Sequence, residues 1–132
     1  MTKSEAAFES MMKAANVLPI RLIDTHDTQK LESRRPSDYV LVSAEGVSFG
    51  EVKECSNEKR FDFRRIRDSQ WIYADLITKK KQQYLFYIFN IPETRWYVIP
   101  AEVFLTAKRK DVKSLRFEDL ANYRSLGWWK KI

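Results

Sequence analysis

Three residues stand where chemistry could be done: Asp38, Glu51 and Lys53. Residues 38–43 read as a strand, Ala44, Glu45 and Gly46 as a tight turn, and residues 47–53 as the returning strand. Side chains alternate along a strand, so Glu51 and Lys53 share a face. A two- or three-residue turn near Glu45 and Gly46 sets Asp38 opposite Val52 or Lys53, at the end of its own strand. Two carboxylates that close repel unless something neutralises them. A divalent cation does so, and hard oxygen ligands suit Mg²⁺, with Mn²⁺ as a substitute. Such an ion lowers the pKa of a bound water and stabilises charge on a phosphate oxygen. The Lys53 ammonium can orient or deprotonate that water, or steady the developing charge. The expected chemistry is phosphodiester hydrolysis. A Glu-x-Lys triplet arises by chance in most chains of this size, where it is an ordinary surface ion pair. The hairpin and the Pro36-Ser37-Asp38 start distinguish this one.

The flanking sequence supplies the elements that must position the three. Residues 4–15 read as a helix that Ser4 can cap, with Phe8, Met11, Met12 and Ala15 as its apolar stripe. Residues 17–23 read as a short strand and 24–36 as a polar loop. Residues 55–60 are a polar connection. Residues 61–81 have helical periodicity, with Phe63, Ile66, Gln70, Ala74 and Ile77 along one side and a lysine-rich last turn. Residues 84–90 are nearly all apolar and aromatic, the pattern of a buried central strand. A further strand over 95–99, a short helix over 101–107 and a last helix over 114–123 follow. This order predicts an α/β fold: one mixed sheet flanked by helices, in a single domain spanning 1–132.

The 132 residues carry 24 Lys+Arg against 18 Asp+Glu, a net charge of +6 that favours polyanions such as nucleic acid. No apolar run is long enough for a membrane span, and the first residues lack the apolar core of a secretory signal. The single cysteine, Cys55, cannot form an internal disulfide and has no partners at metal-site spacing, so a reducing, cytoplasmic setting is expected.

The pattern Pro36-Ser37-Asp38, twelve intervening residues, then Glu51-Val52-Lys53 resembles the motif of the PD-(D/E)XK nuclease superfamily. Asp38-Tyr39, Glu51-Val52-Lys53-Glu54, Phe61-Asp62-Phe63, Ile66, Gln70, the apolar strand and Trp96-Tyr97-Val98-Ile99-Pro100 look like a RecU-type Holliday junction resolvase over more than half the chain. The resemblance implies a restriction-endonuclease-like fold and metal-dependent cleavage of four-way or branched DNA, in recombination or repair. It also implies that Asp38 and Glu51 hold the metal with the backbone carbonyl of Val52, and that Lys53 acts on the water or the scissile phosphate. Gln70 matches a glutamine that lies near the site in such enzymes. Its place on an apolar stripe independently demands a polar partner, for which backbone is the plain alternative. Related nucleases often place a helical glutamate beside the metal; Glu9 fits best, with Glu5 one turn earlier.

Arg34 and Arg35 precede Asp38, and Lys59, Arg60, Arg64, Arg65 and Arg67 follow Lys53, so these are the expected phosphate contacts. Trp128 and Trp129, beside Lys130 and Lys131, can close the core, stack on bases or meet a second subunit. His26, beside Asp24 and Asp27, reads as exposed. A junction has two-fold symmetry, so a resolvase implies a homodimer, for which the apolar strand at 84–90 or the two tryptophans could serve. RecU-type resolvases carry a long projection before the catalytic Asp, where the 24–36 segment here is short. The competing expectations are a nuclease for duplex, flap or single-stranded DNA, and a non-catalytic DNA-binding module. The compact form hints at a viral or mobile-element source.

Overall fold

The computed structural model describes residues 1–24 and 34–124. His26, Trp128 and Trp129, most of the 24–36 segment, and the readings placed on them lie outside the described residues. The chain runs α1 (Lys3–Ala14), β1 (Leu18–Arg21), β2 (Tyr39–Ser43), β3 (Gly46–Cys55) and β4 (Arg60–Asp62). A 3₁₀ turn at Phe63–Arg65 leads to α2 (Asp68–Lys79), β5 (Gln83–Asn90), β6 (Arg95–Pro100) and α3 (Ala101–Arg109), then β7 (Ser114–Arg116) and a second 3₁₀ segment, Phe117–Tyr123. A five-stranded sheet has the order β1-β2-β3-β5-β6, with β3 and β5 parallel and the other neighbours antiparallel. β4 and β7 form a separate two-stranded sheet. The architecture is the expected α/β one.

Each face of the main sheet buries its own apolar cluster. α1 lays Phe8, Met12 and Ala15 over Tyr39, Leu41, Val52, Tyr87 and Trp96. On the other face α2 and α3 bring Trp71, Ala74, Phe104 and Leu105 onto Phe86, Ile88, Tyr97 and Ile99. Burial of this kind is the main favourable term in folding. On the α1 side β3 has no side chain at Gly50, where an added Cβ would lie 3.0 Å from Tyr87 Cε1 and 3.2 Å from Leu41 Cδ1.

Four local expectations need correction. Thr2, not Ser4, caps α1, and Glu5 completes a capping box: its N–H donates to Thr2 Oγ1 at 3.1 Å and its Oε1 accepts from Thr2 N–H at 3.0 Å. The β2–β3 turn is tighter than the widest reading, since Ser43 already pairs with Gly46 and Tyr39 with Gly50. Asp38 therefore comes level with Glu51, not with Val52 or Lys53. The long helix over 61–81 is in fact a strand, a 3₁₀ turn and a shorter helix. Phe61 and Phe63 are buried at alternating positions, and Asp62 accepts from Arg64 N–H at 2.8 Å to start the 3₁₀ turn. Residues 114–116 form a strand because they pair with β4, Phe61 facing Leu115. β5 is central as expected, but both its edges are occupied by β3 and β6, so it offers no edge to a second subunit.

Candidate active site

The hairpin register delivers the acids. Ser37 is buried and its hydroxyl donates to the Tyr39 carbonyl at 2.6 Å, while the Pro36 carbonyl accepts from the Tyr84 hydroxyl at 2.7 Å. The Pro-Ser-Asp segment is thereby pinned from both sides before β2 begins. Asp38 N–H donates to Glu51 Oε1, and Val52 N–H donates to Asp38 Oδ2, each at 2.7 Å. Asp38 Oδ1 takes the Arg35 Nη2 donor at 2.6 Å, a charge-assisted contact.

Glu51 is the anomaly. It is fully buried, and its Oε2 has no hydrogen-bond partner. Lys53 Nζ stands 3.9 Å away, close enough for an ion pair but too far for a hydrogen bond. Burial, with the Asp38 charge added, pushes the Glu51 carboxyl up to about 8. Burial also lowers Lys53 below its ordinary value against the pull of Glu51 and Asp38, and the positive charges of Arg67 and Arg65 act in the same direction as burial. An orphaned, buried carboxylate oxygen between an aspartate and a lysine is costly and fits an ion that supplies the missing charge. Among the described residues no third His, Cys, Asp or Glu joins the pair in a metal-binding group. That set suits Mg²⁺, which is usually held by one or two carboxylates and keeps several waters. The Val52 carbonyl leaves β3 on the same edge as its N–H, toward Asp38, because a strand residue presents both groups to one neighbour.

The other expected residues divide. Arg35, Arg65 and Arg67 belong with the acids: Arg35 touches Asp38, and the other two act electrostatically on Lys53. Arg34 and Arg67 each approach Asp24 Oδ2 at 3.9 Å. Gln70 is buried, and its Oε1 accepts from Arg67 N–H at 2.9 Å, which ties it to the backbone at the first turn of α2. Arg60 donates to Ser114 on the small sheet at 3.0 Å, and Arg64 pairs with Asp62 at 2.8 Å. Lys59 and Arg60 share a separate cleft with Arg116 and Arg124. Glu9 accepts from the Tyr39 hydroxyl at 2.7 Å, on the α1 side of the sheet, and Glu5 is taken by the helix cap and Arg21.

Two residues went unnoticed in the sequence. Tyr84 hides in an apolar strand, yet its hydroxyl holds Pro36; burial and the Glu51 and Asp38 charges raise its pKa, so it stays a donor. Asp24 holds Arg35 N–H at 2.7 Å and draws in Arg34 and Arg67. Its place in a polar, charged stretch gave no sign of that.

The fold and the corner at the end of β2 define a mixed α/β sheet with its acidic pair at the junction of two strands. Among solved structures, the chain is similar to Hjc, a Holliday junction resolvase from the archaeal hyperthermophile Archaeoglobus fulgidus. The TM-score is 0.58 at 15% identity, over 77% of this chain and 78% of that one. At that identity the likeness is one of fold, and it is to an Hjc rather than to the RecU type that the motif resembles. No family model matches the sequence, and no curated protein matches it.

Proposed function

We propose that this chain is a metal-dependent DNA endonuclease of the PD-(D/E)XK kind, acting on branched DNA and favouring four-way junctions. The observation that carries the reading is the unpaired, buried Glu51 Oε2 set beside Asp38 and facing Lys53. Asp38, Glu51 and the Val52 carbonyl would hold Mg²⁺ or Mn²⁺. Such an ion, when bound there, would lower the pKa of an attacking water and stabilise charge on the phosphate. Lys53 presents a donor to the attacking water or to a non-bridging phosphate oxygen, from a side chain that burial keeps from wandering. Tyr84, Ser37 and the main-chain bonds of Asp38 and Val52 hold the acids in place, so little reorganisation is needed during reaction. Arg65, in the 3₁₀ turn, and Arg67, at the N-cap of α2, supply positive charge for the DNA backbone.

The fold shared with Hjc and the basic chain together favour a branched-DNA substrate. Cutting opposing strands of a junction takes two centres, so the active form is a homodimer. The test is a cleavage panel of junction, flap, duplex and single-stranded DNA, run with Mg²⁺, with Mn²⁺ and with EDTA. The expected outcome is metal-dependent nicking, strongest on the junction. Asp38→Asn and Glu51→Gln should each lower cleavage by at least about a thousandfold while keeping DNA binding, because each removes negative charge and leaves the basic surface intact. Equal cutting of all forms would leave a nuclease of another specificity. Absence of metal-dependent cutting on every form would overturn the enzymatic reading.

A further inference from the structure

We propose that Arg35 is a resident counter-ion that a divalent cation displaces: its guanidinium holds the Asp38 oxygen that no main-chain donor fixes. The inference rests on the metal-dependent reading above. Three of the four carboxylate oxygens of Asp38 and Glu51 already accept a hydrogen bond. Oδ2 of Asp38 takes Val52 N–H, Oε1 of Glu51 takes Asp38 N–H, and Oδ1 of Asp38 takes Arg35 Nη2. Only Glu51 Oε2 has no donor. The first two donors are main-chain groups fixed by the β2–β3 pairing, which cannot leave without breaking the strands. The third is a side chain, which can.

An ion bridging the two acids needs an oxygen from each. Glu51 offers Oε2, which has no donor, and on Asp38 the oxygen whose donor can leave is Oδ1. A guanidinium 2.6 Å from that oxygen would stand against the incoming dication as a like charge. Both cannot occupy the place comfortably, and exchange follows.

The rest of Arg35 is built for leaving. Its second side-chain hydrogen bond, Nη1 to the Leu22 carbonyl, is long at 3.3 Å, and its Nε is buried with no partner. An orphaned donor costs free energy that is recovered when the group reaches water or a phosphate. The side chain is 22% exposed, so a way out exists. The main chain need not follow, because Arg35 N–H remains on Asp24 Oδ1 at 2.7 Å. In the metal-free protein Arg35 thus offsets the Asp38 charge and keeps the corner assembled.

The experiment measures ion binding without DNA. The full chain, stripped of metal, is titrated with Mn²⁺ and the free ion is followed by electron paramagnetic resonance. Wild type, Arg35→Gln, Arg35→Lys and Glu51→Gln are compared. Removing the competitor should tighten Mn²⁺ about tenfold in Arg35→Gln, the scale of one charge-assisted hydrogen bond. Arg35→Lys should fall between, and Glu51→Gln should lose the site. A strut that merely supports Asp38 would do the reverse, so unchanged or weaker binding in Arg35→Gln, with Glu51-dependent binding in wild type, overturns this proposal alone. If wild type binds no Mn²⁺ in a Glu51-dependent way, the metal-dependent reading falls as well. A second measurement needs no variant: the Arg35 Nε–Hε resonance of wild type should move to the position of a solvated arginine as Mg²⁺ saturates. A resonance unmoved at saturation also overturns the proposal.

Discussion

Two adjoining patches of the same sheet face follow opposite rules. In one, Phe86, Phe104, Phe61 and Phe63 fill the space with rings; Phe86 and Phe104 lie 4.6 Å apart between centroids, and Phe61 and Phe104 5.8 Å. In the other, the same face of β3 puts Glu51, the register partner of Phe86, and Lys53 where an apolar pair would pack. Glu51 is as deeply buried as Phe86, yet one of its oxygens has no donor. The aromatic patch stabilises the fold, whereas the acidic patch is held in place by it. The difference shows that burial alone says nothing about contribution. What matters is whether the buried atoms find partners.

The largest effect expected from that contrast is in the aromatic patch. Phe104→Ala should cost about 3–5 kcal/mol, because a fully buried ring is lost and four neighbouring rings cannot close the space. Urea unfolding checks it. Next comes pH. The Glu51 carboxyl is raised to about 8 from 4.5, so between those values the folded chain binds a proton that the unfolded chain has released. Stability from this group is therefore present below about 4.5 and lost as pH rises through about 8, a loss on the order of a few kcal/mol without metal. Melting temperatures from pH 4.5 to 9 should show the fall, and Mg²⁺ should raise them far more at pH 9 than at pH 5.

Glu51→Gln sharpens the comparison with the opposite sign. It should stabilise the metal-free chain by about 1–2 kcal/mol at pH 9 and flatten the pH profile, since the amide carries no charge to bury. Destabilisation at pH 9 would mean that the acidic corner is as well satisfied as the aromatic one. The smallest effect is on the surface. Arg65→Ala should leave the melting temperature almost unchanged and reduce the slope of log binding against log salt by about one, if Arg65 meets a phosphate.

Much of this was legible in the sequence because it is local. The acid pair comes from two strands joined by a two-residue turn, so strand alternation and the Asp38–Glu51 spacing were enough to bring them together. The register slipped only because Ser43 pairs directly with Gly46. The apolar run of β5 and the stripe of α1 likewise carry their burial in their own periodicity. What failed depends on distant partners. Phe63 and Ile66 happen to continue the spacing of Gln70 and Ala74, so 61–67 imitates a helix, while the real partner of Phe61 is Leu115 in β7, far along the chain. Arg35 has the type and position of a phosphate contact, and nothing local shows that it turns inward to Asp38. Tyr84 looks like one more apolar strand residue until the Pro36 carbonyl is found over its hydroxyl.

Gly50 has a consequence that crosses the sheet. A methyl group there would meet the Tyr87 ring at 3.0 Å, and that ring is itself wedged against Phe8 at 4.7 Å between centroids. Where the Tyr87 and Leu41 side chains do not give way, β3 shifts and carries the adjoining Glu51 carboxylate with it. A vacancy of one methyl on the helix α1 side thus bears on where the Glu51 carboxylate stands on the opposite side.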